Sequence, residues 1–143
     1  IPSEPGDVDV RVEEQLSESW LATAGGLMGL TPGQMEITRK MLGPSRLKQG
    51  FFTLFDSGAA VSCGLGVVEN GYVGLYDIIT DVEHRGRGYA EQLIRFMLCW
   101  ARENGASRSY LQVVKSNETA NRLYDKLGYR EIYSYWYRVK DLR

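Results

Sequence analysis

From Ile78 to Ala90 the chain reads I-I-T-D-V-E-H-R-G-R-G-Y-A: an apolar strand end, a charged turn, two glycines one residue apart, then a long amphipathic run. This stretch limits the fold more than any other. A strand entering a helix through a glycine turn, with another strand after the helix, implies a right-handed crossover and a locally parallel strand pair. It also gathers chemistry. The first N–H groups of a helix have no intrahelical partner and the helix dipole adds partial positive charge there, so a bound anion can satisfy both. Gly86 and Gly88 remove Cβ atoms that would hold a phosphate off the backbone, while Arg85 and Arg87 supply charge. A glycine-rich corner with solvated arginines fits the same letters, so the flanking sequence must decide.

Upstream, Asp9 to Glu13 alternates as a short first strand after a loose lead-in over residues 1–7. Ser17 caps a helix carrying Trp20 and Leu21, which Gly25 and Gly26 are expected to close. Thr31-Pro32 opens a second helix running to Leu42. The period then changes to that of strands: Gly50 to Phe55, a turn at Asp56-Ser57-Gly58, and Ala59 to Val68. Asn70-Gly71 is a strong hairpin signal, and Tyr72 to Thr80 follows as the third strand of an antiparallel meander. Downstream, Ala90, Leu93, Ile94, Met97, Leu98 and Ala101 have helical spacing up to Asn104-Gly105. Ser109 to Val114 is a strand, Ser116-Asn117 opens a helix over Glu118 to Leu127, and Tyr129 to Val139 forms one or two closing strands divided near Ser134. The order β-α-α-β-β-β-α-β-α-β(β) describes one mixed α/β (α+β) domain spanning residues 1–143. A chain that starts at Ile1 rather than Met is also compatible with a domain excised from a longer protein.

With 17 basic and 18 acidic residues the chain has no global field to steer it to nucleic acid or anionic lipid, so an anion site must be local. Arg85-Gly86-Arg87-Gly88 resembles an RGG fragment but lacks the aromatic and basic stripe of a nucleic-acid binder. No membrane span is legible. Cys63 and Cys99 show neither zinc-site spacing nor a disulfide framework, which favours reduced thiols, a cytoplasmic location and no metal.

The residues resemble the GNAT superfamily of acyl-CoA-dependent N-acetyltransferases over nearly the whole chain, most strongly from Gly74 to Tyr129. The family pattern of Arg or Gln, two residues, Gly, one residue, Gly or Ala fits Arg85-Gly86-Arg87-Gly88-Tyr89-Ala90. Its later block fits Asn117, Ala120, Leu123-Tyr124, Asp125-Lys126 and Leu127-Gly128-Tyr129. The resemblance implies a mostly antiparallel central sheet with a splayed parallel pair, flanked by helices. It further implies acetyl-CoA as acyl donor, its diphosphate on Arg85 to Ala90 and its pantetheine arm along Ile78, Ile79 and Thr80. Asn117 is implied as a cofactor contact, although Asn is equally suited to cap the helix it opens. Tyr124, two turns on and on the same helical face, is implied as the acid for the departing thiolate; a packed core tyrosine is the alternative.

An ammonium acceptor must lose its proton before attack, and a carboxylate is the usual device. Asp77 is the first candidate and Glu69, near the hairpin, the second. Asp77 could equally pair with Arg85, and Glu69 could be a solvated hairpin residue. His84, the only histidine, lies beside the turn, where a surface or phosphate-facing role is expected. Tyr133, Tyr135, Trp136 and Tyr137 are either an acceptor-pocket lining or packing. The expected activity is acetyl transfer to a small-molecule or peptide amine in a ternary complex; a non-catalytic acyl-CoA-sensing domain is the alternative. A homodimer through the last strands is left open.

Overall fold

The computed structural model describes residues 8–43, 45–113, 117–131 and 137–142. Strand β1 (Val8–Glu13) alternates as its letters do, turning Val8, Val10 and Val12 toward the core. Helix α1 (Glu18–Met28) begins where Ser17 Oγ accepts from Trp20 N at 3.0 Å. The expected stop at Gly25-Gly26 is overturned: α1 continues through that pair to Met28 and is capped by Gly29, with φ 69°. Glycine inside a helix costs only about 1 kcal/mol, and close packing explains its place here. A Cβ on Gly25 would stand 3.0 Å from Sδ and Cε of Met35, which belongs to helix α2 (Pro32–Leu42). Thr31 and Gln34 form a reciprocal capping box at the start of α2, with Pro32 in its first turn.

Strands β2 (Lys48–Asp56), β3 (Ala59–Glu69) and β4 (Tyr72–Thr80) make the antiparallel meander. Both of its turns, Ser57-Gly58 and Asn70-Gly71, place their two central residues at positive φ, the geometry that matches strand twist. Then come helix α3 (Tyr89–Glu103), strand β5 (Arg108–Gln112), helix α4 (Glu118–Lys126) and strands β6 (Arg130–Glu131) and β7 (Tyr137–Asp141). Among the described residues seven strands lie in the order β1-β2-β3-β4-β5-β7-β6. Every pairing is antiparallel except β4 with β5, as a crossover through α3 requires. The chain thus closes with two strands, and the later one, β7, sits against β5. Val114, Ser116 and Ser134, where sequence boundaries were expected, lie outside the described residues.

Each face of the sheet carries its own core. Leu93, Ile94, Met97 and Ala101 of α3 are fully buried against Phe52, Leu54, Val61, Val73, Leu75 and Leu111. On the other face Trp20 and Ala24 of α1 pack on Phe51, Cys63 and Leu65, and Trp20 Nε1 donates to the Phe52 carbonyl at 3.0 Å. Each large apolar side chain buried under α3 contributes about 1.5–3 kcal/mol. That packing fixes the helix rigidly, and with it the position of its N-terminus beside β4.

Candidate active site

The site begins with an irregularity in β4. Leu65 pairs with Tyr76 and Cys63 with Ile79, so Gly64 faces two residues, Asp77 and Ile78, and Asp77 sits at φ 54°. Parallel pairing with β5 ends just before this bulge, at Leu75 and Leu111. Beyond it, the β5-facing edge of β4 has no strand partner among the described residues. β5 meanwhile turns its other edge to β7. A cleft of about 630 Å³ opens in the gap, bounded by Ile78 to Thr80, the glycine turn, the start of α3, and α4.

Asp81 N donates to Val61 O at 2.8 Å, a short 3-10 turn spans Val82–His84, and the extended Arg85 leads into Gly86. Gly86 and Gly88 have φ 80° and 81°, a region glycine enters without strain. Gly88 is the N-cap of α3 and offers no side chain, so the helix begins with N–H groups that no side chain caps. A Cβ on either glycine would meet nothing within 4 Å. Backbone conformation, not crowding, selects glycine here, and the space in front of the amides stays open.

Helix α4 forms the opposite wall. Asn117 Oδ1 accepts from Ala120 N at 3.1 Å, so the cap reading of Asn117 holds, and its amide nitrogen has no partner among the described residues beside the cleft it lines. The helical repeat then brings Ala120 and Tyr124 round to the same face. Tyr124 is half-buried, its ring edge-on to Tyr129 with centroids 5.8 Å apart, and its hydroxyl makes no hydrogen bond to another described residue. Burial raises the phenol above its ordinary value, so at neutral pH it holds its proton and can donate. Glu91, a carboxylate in an otherwise anion-friendly cleft, is balanced by Arg95 at 3.0 Å and Lys126 at 3.1 Å.

The cleft brings together Ile78, Ile79, Thr80, Arg85, Gly86, Gly88, Tyr89, Ala90, Asn117 and Tyr124. Other expected site residues stand apart from it. Arg87 does not line the cleft and stands by the Tyr89 hydroxyl. Tyr89 is only 7% exposed, and its hydroxyl donates to the Asp56 carboxylate. Arg85 Nε reaches the Thr80 carbonyl at 3.4 Å rather than Asp77. Asp77 is on the bulge, accessible to solvent yet close enough to apolar surroundings that its carboxyl is raised above the usual carboxylate range. Glu69 is not brought to the cleft: it faces Tyr72 beside the hairpin, roughly 25 Å along β4 from Thr80 at ~3.3 Å per residue. Tyr133, Tyr135 and Trp136 lie outside the described residues, as does the side chain of Tyr137.

Thr119, Leu123 and Glu91 also line the cleft and were not anticipated. For the first two the signal was present in the sequence, since they sit one turn apart beside Ala120 on the amphipathic face of α4. Among the described residues no cluster of three or more His, Cys, Asp or Glu is placed to hold a metal ion, and no helix is long and apolar enough to cross a membrane.

A model of the acetyltransferase (GNAT) family matches residues 19–129. The chain belongs to that family. The matched span runs from α1 to the end of α4, so it contains both walls of the cleft. An uncharacterized N-acetyltransferase of Bacillus subtilis, YobR, is 34% identical over 128 residues, which are 90% of this chain and 52% of that protein. The chain thus spans about half the length of this relative. Among solved structures, the ribosomal-protein-S18-alanine N-acetyltransferase of Escherichia coli superposes with a TM-score of 0.77 at 17% identity, covering 94% of each chain. PaiA N-acetyltransferase of Thermoplasma acidophilum, solved in complex with coenzyme A, superposes with a TM-score of 0.69 at 15% identity over 93% of this chain and 99% of its own. The GNAT fold of these structures is the fold described above.

Proposed function

We propose that this chain transfers an acetyl group from acetyl-CoA to a primary amine, small molecule or peptide, by direct attack in a ternary complex. One observation carries the reading: the gap between β4 and β5 joins an uncapped helix N-terminus at one end to a protonated tyrosine at the other. Two positive-φ glycines keep side chains away from the free N–H groups, which suits a diphosphate. The edge of Ile78 to Thr80, which no described strand pairs, suits the amide-bearing pantetheine arm, which would pair with it as a strand does.

Acetyl-CoA supplies a thioester, an acyl group activated toward amines with a thiolate to leave. The chain's own residues would hold and polarise it. N–H groups on the open edge of β4 stabilise the oxygen as it gains charge. Tyr124 donates its proton to the sulfur as the C–S bond breaks and is restored by the second proton that the nitrogen sheds on becoming an amide. Asp77, on the bulge next to that edge, takes the proton of the ammonium through water. Its raised carboxyl range favours this role, since a stronger base is better matched to an amine. Tyr124→Phe tests the assignment. Turnover should fall at least about 100-fold, the usual scale for a lost acid, with CoA affinity unchanged; equal turnover would make Tyr124 a packing residue.

A further inference from the structure

We propose that His84 contacts the bound ligand's phosphate as an imidazolium, so that CoA binding at the turn takes up a proton. The inference rests on the CoA reading above and adds a titrating group to it. His84 lines the same cleft as Arg85, Gly86 and Gly88. Its Nδ1 lies 2.6 Å from Asp81 Oδ2. An ionised carboxylate only accepts, so the ring's first proton is on Nδ1 and a neutral ring keeps a bare lone pair on Nε2. Nε2 has no hydrogen-bond partner among the described residues, which leaves it for a ligand.

The pair is built into the backbone. Asp81 and His84 are three residues apart across a 3-10 turn, where such positions eclipse, and His84 N donates to Asp81 O at 2.9 Å. Asp81 therefore fixes the tautomer that is wrong for an anion. A neutral His84 turns a lone pair toward phosphate oxygens, whereas a protonated one offers them N–H and positive charge.

The charged and titratable groups that face His84 come from every element packed around the turn. In its own turn stand Asp81 and Glu83, and after it Arg85 and Arg87. From α3 come the Tyr89 ring, 6.2 Å away between centroids, and Glu91, already paired with Arg95 and Lys126. Asp56 of β2 lies behind Tyr89 and accepts from its hydroxyl. From β4 comes Thr80, and from α4 Asn117, Thr119 and Tyr124, none of them charged. The backbone amides and Arg85 attract the diphosphate equally across the range in which imidazoles titrate.

The single histidine makes the test direct, because in a tag-free protein one imidazole Cε1–H signal reports this residue alone. The probe is 3′-dephospho-CoA, whose diphosphate does not titrate between pH 5.5 and 8, unlike a phosphate monoester with a second pKa of about 6. Saturating ligand should raise the His84 midpoint by about one pH unit, matched by a Kd about tenfold weaker at pH 8 than at pH 5.5. His84→Gln should bind with a flat pH profile. An unmoved midpoint, or parallel profiles for the two proteins, overturns the inference. If binding is real and Gly88→Glu weakens it at least about 30-fold while the midpoint stays put, the CoA reading stands and this inference alone falls. If millimolar ligand moves no resonance, the CoA reading fails and takes this inference with it.

Discussion

Replacing Gly88 by glutamate separates the anion cradle from the fold. With φ at 81° and no atom within 4 Å of a built Cβ, a side chain fits but the backbone is strained. That strain is about 1–2 kcal/mol for a non-glycine residue. For a chain of 143 residues it should lower Tm by about 3–6 °C, so the variant stays folded at 25 °C. Ligand binding should suffer far more. A carboxylate about 5 Å from one phosphate charge of the diphosphate, at an effective dielectric of about 20–40, adds about 2–3 kcal/mol of repulsion, a loss of about 30- to 150-fold. Gly88→Gln carries the same strain and bulk without the charge. The gap between Glu and Gln variants should therefore narrow as salt rises. Titration calorimetry with CoA at two ionic strengths, beside thermal melts, measures both quantities. A folded Gly88→Glu protein with wild-type CoA affinity would refute the cradle.

Two further outcomes follow from groups whose protonation the fold alters. Asp77 is raised by desolvation, so the folded state keeps its proton to higher pH than the unfolded chain, and Asp77 lowers stability as pH rises through the shifted range. Asn tolerates its positive φ, so Asp77→Asn should leave Tm at pH 7 unchanged or higher while turnover drops about 100-fold; a lower Tm together with unchanged turnover would make Asp77 structural only. Cys63 is buried with its thiol pushed up to about 12, whereas Cys99 is exposed. Ellman's reagent should therefore titrate one thiol in the native protein and a second only after denaturation; two fast native thiols would contradict the packing of α1 on β3.

Much of this fold was legible because its turns are written in residues with few conformational options. Asn70-Gly71, Thr31-Pro32 and the Gly86 to Gly88 turn each fix a local backbone, and the period of α3 assigns its buried face. Gly25-Gly26 misled because a glycine pair marks both a helix end and a close helix contact, and only Met35, ten residues on, distinguishes them. The bulge at Asp77 has no signature in Tyr76-Asp77-Ile78. Aspartate tolerates positive φ, but nothing local demands it, and the splay of β4 came from the family resemblance rather than from periodicity.

Side-chain directions at the turn were less accessible still. Arg87 and the Tyr89 phenol belong to the motif by letter, yet the Tyr89 hydroxyl bonds to Asp56, 33 residues away, and Arg87 stands by that hydroxyl rather than in the cleft lining. Glu69 was a candidate as a carboxylate near the hairpin, but a nine-residue strand separates it from the turn in space. The motif assigned the glycines, Asn117 and Tyr124 to one site, and the parallel crossover is what brings them to one cleft.

The most direct test is a crystal structure with acetyl-CoA bound. Diphosphate oxygens should lie about 2.9 Å from backbone nitrogens between Gly86 and Ala90, with the pantetheine arm along Ile78 to Thr80 and the sulfur next to the Tyr124 hydroxyl. Density for acetyl-CoA outside the β4–β5 gap, or in it with the diphosphate away from the turn, would contradict the account.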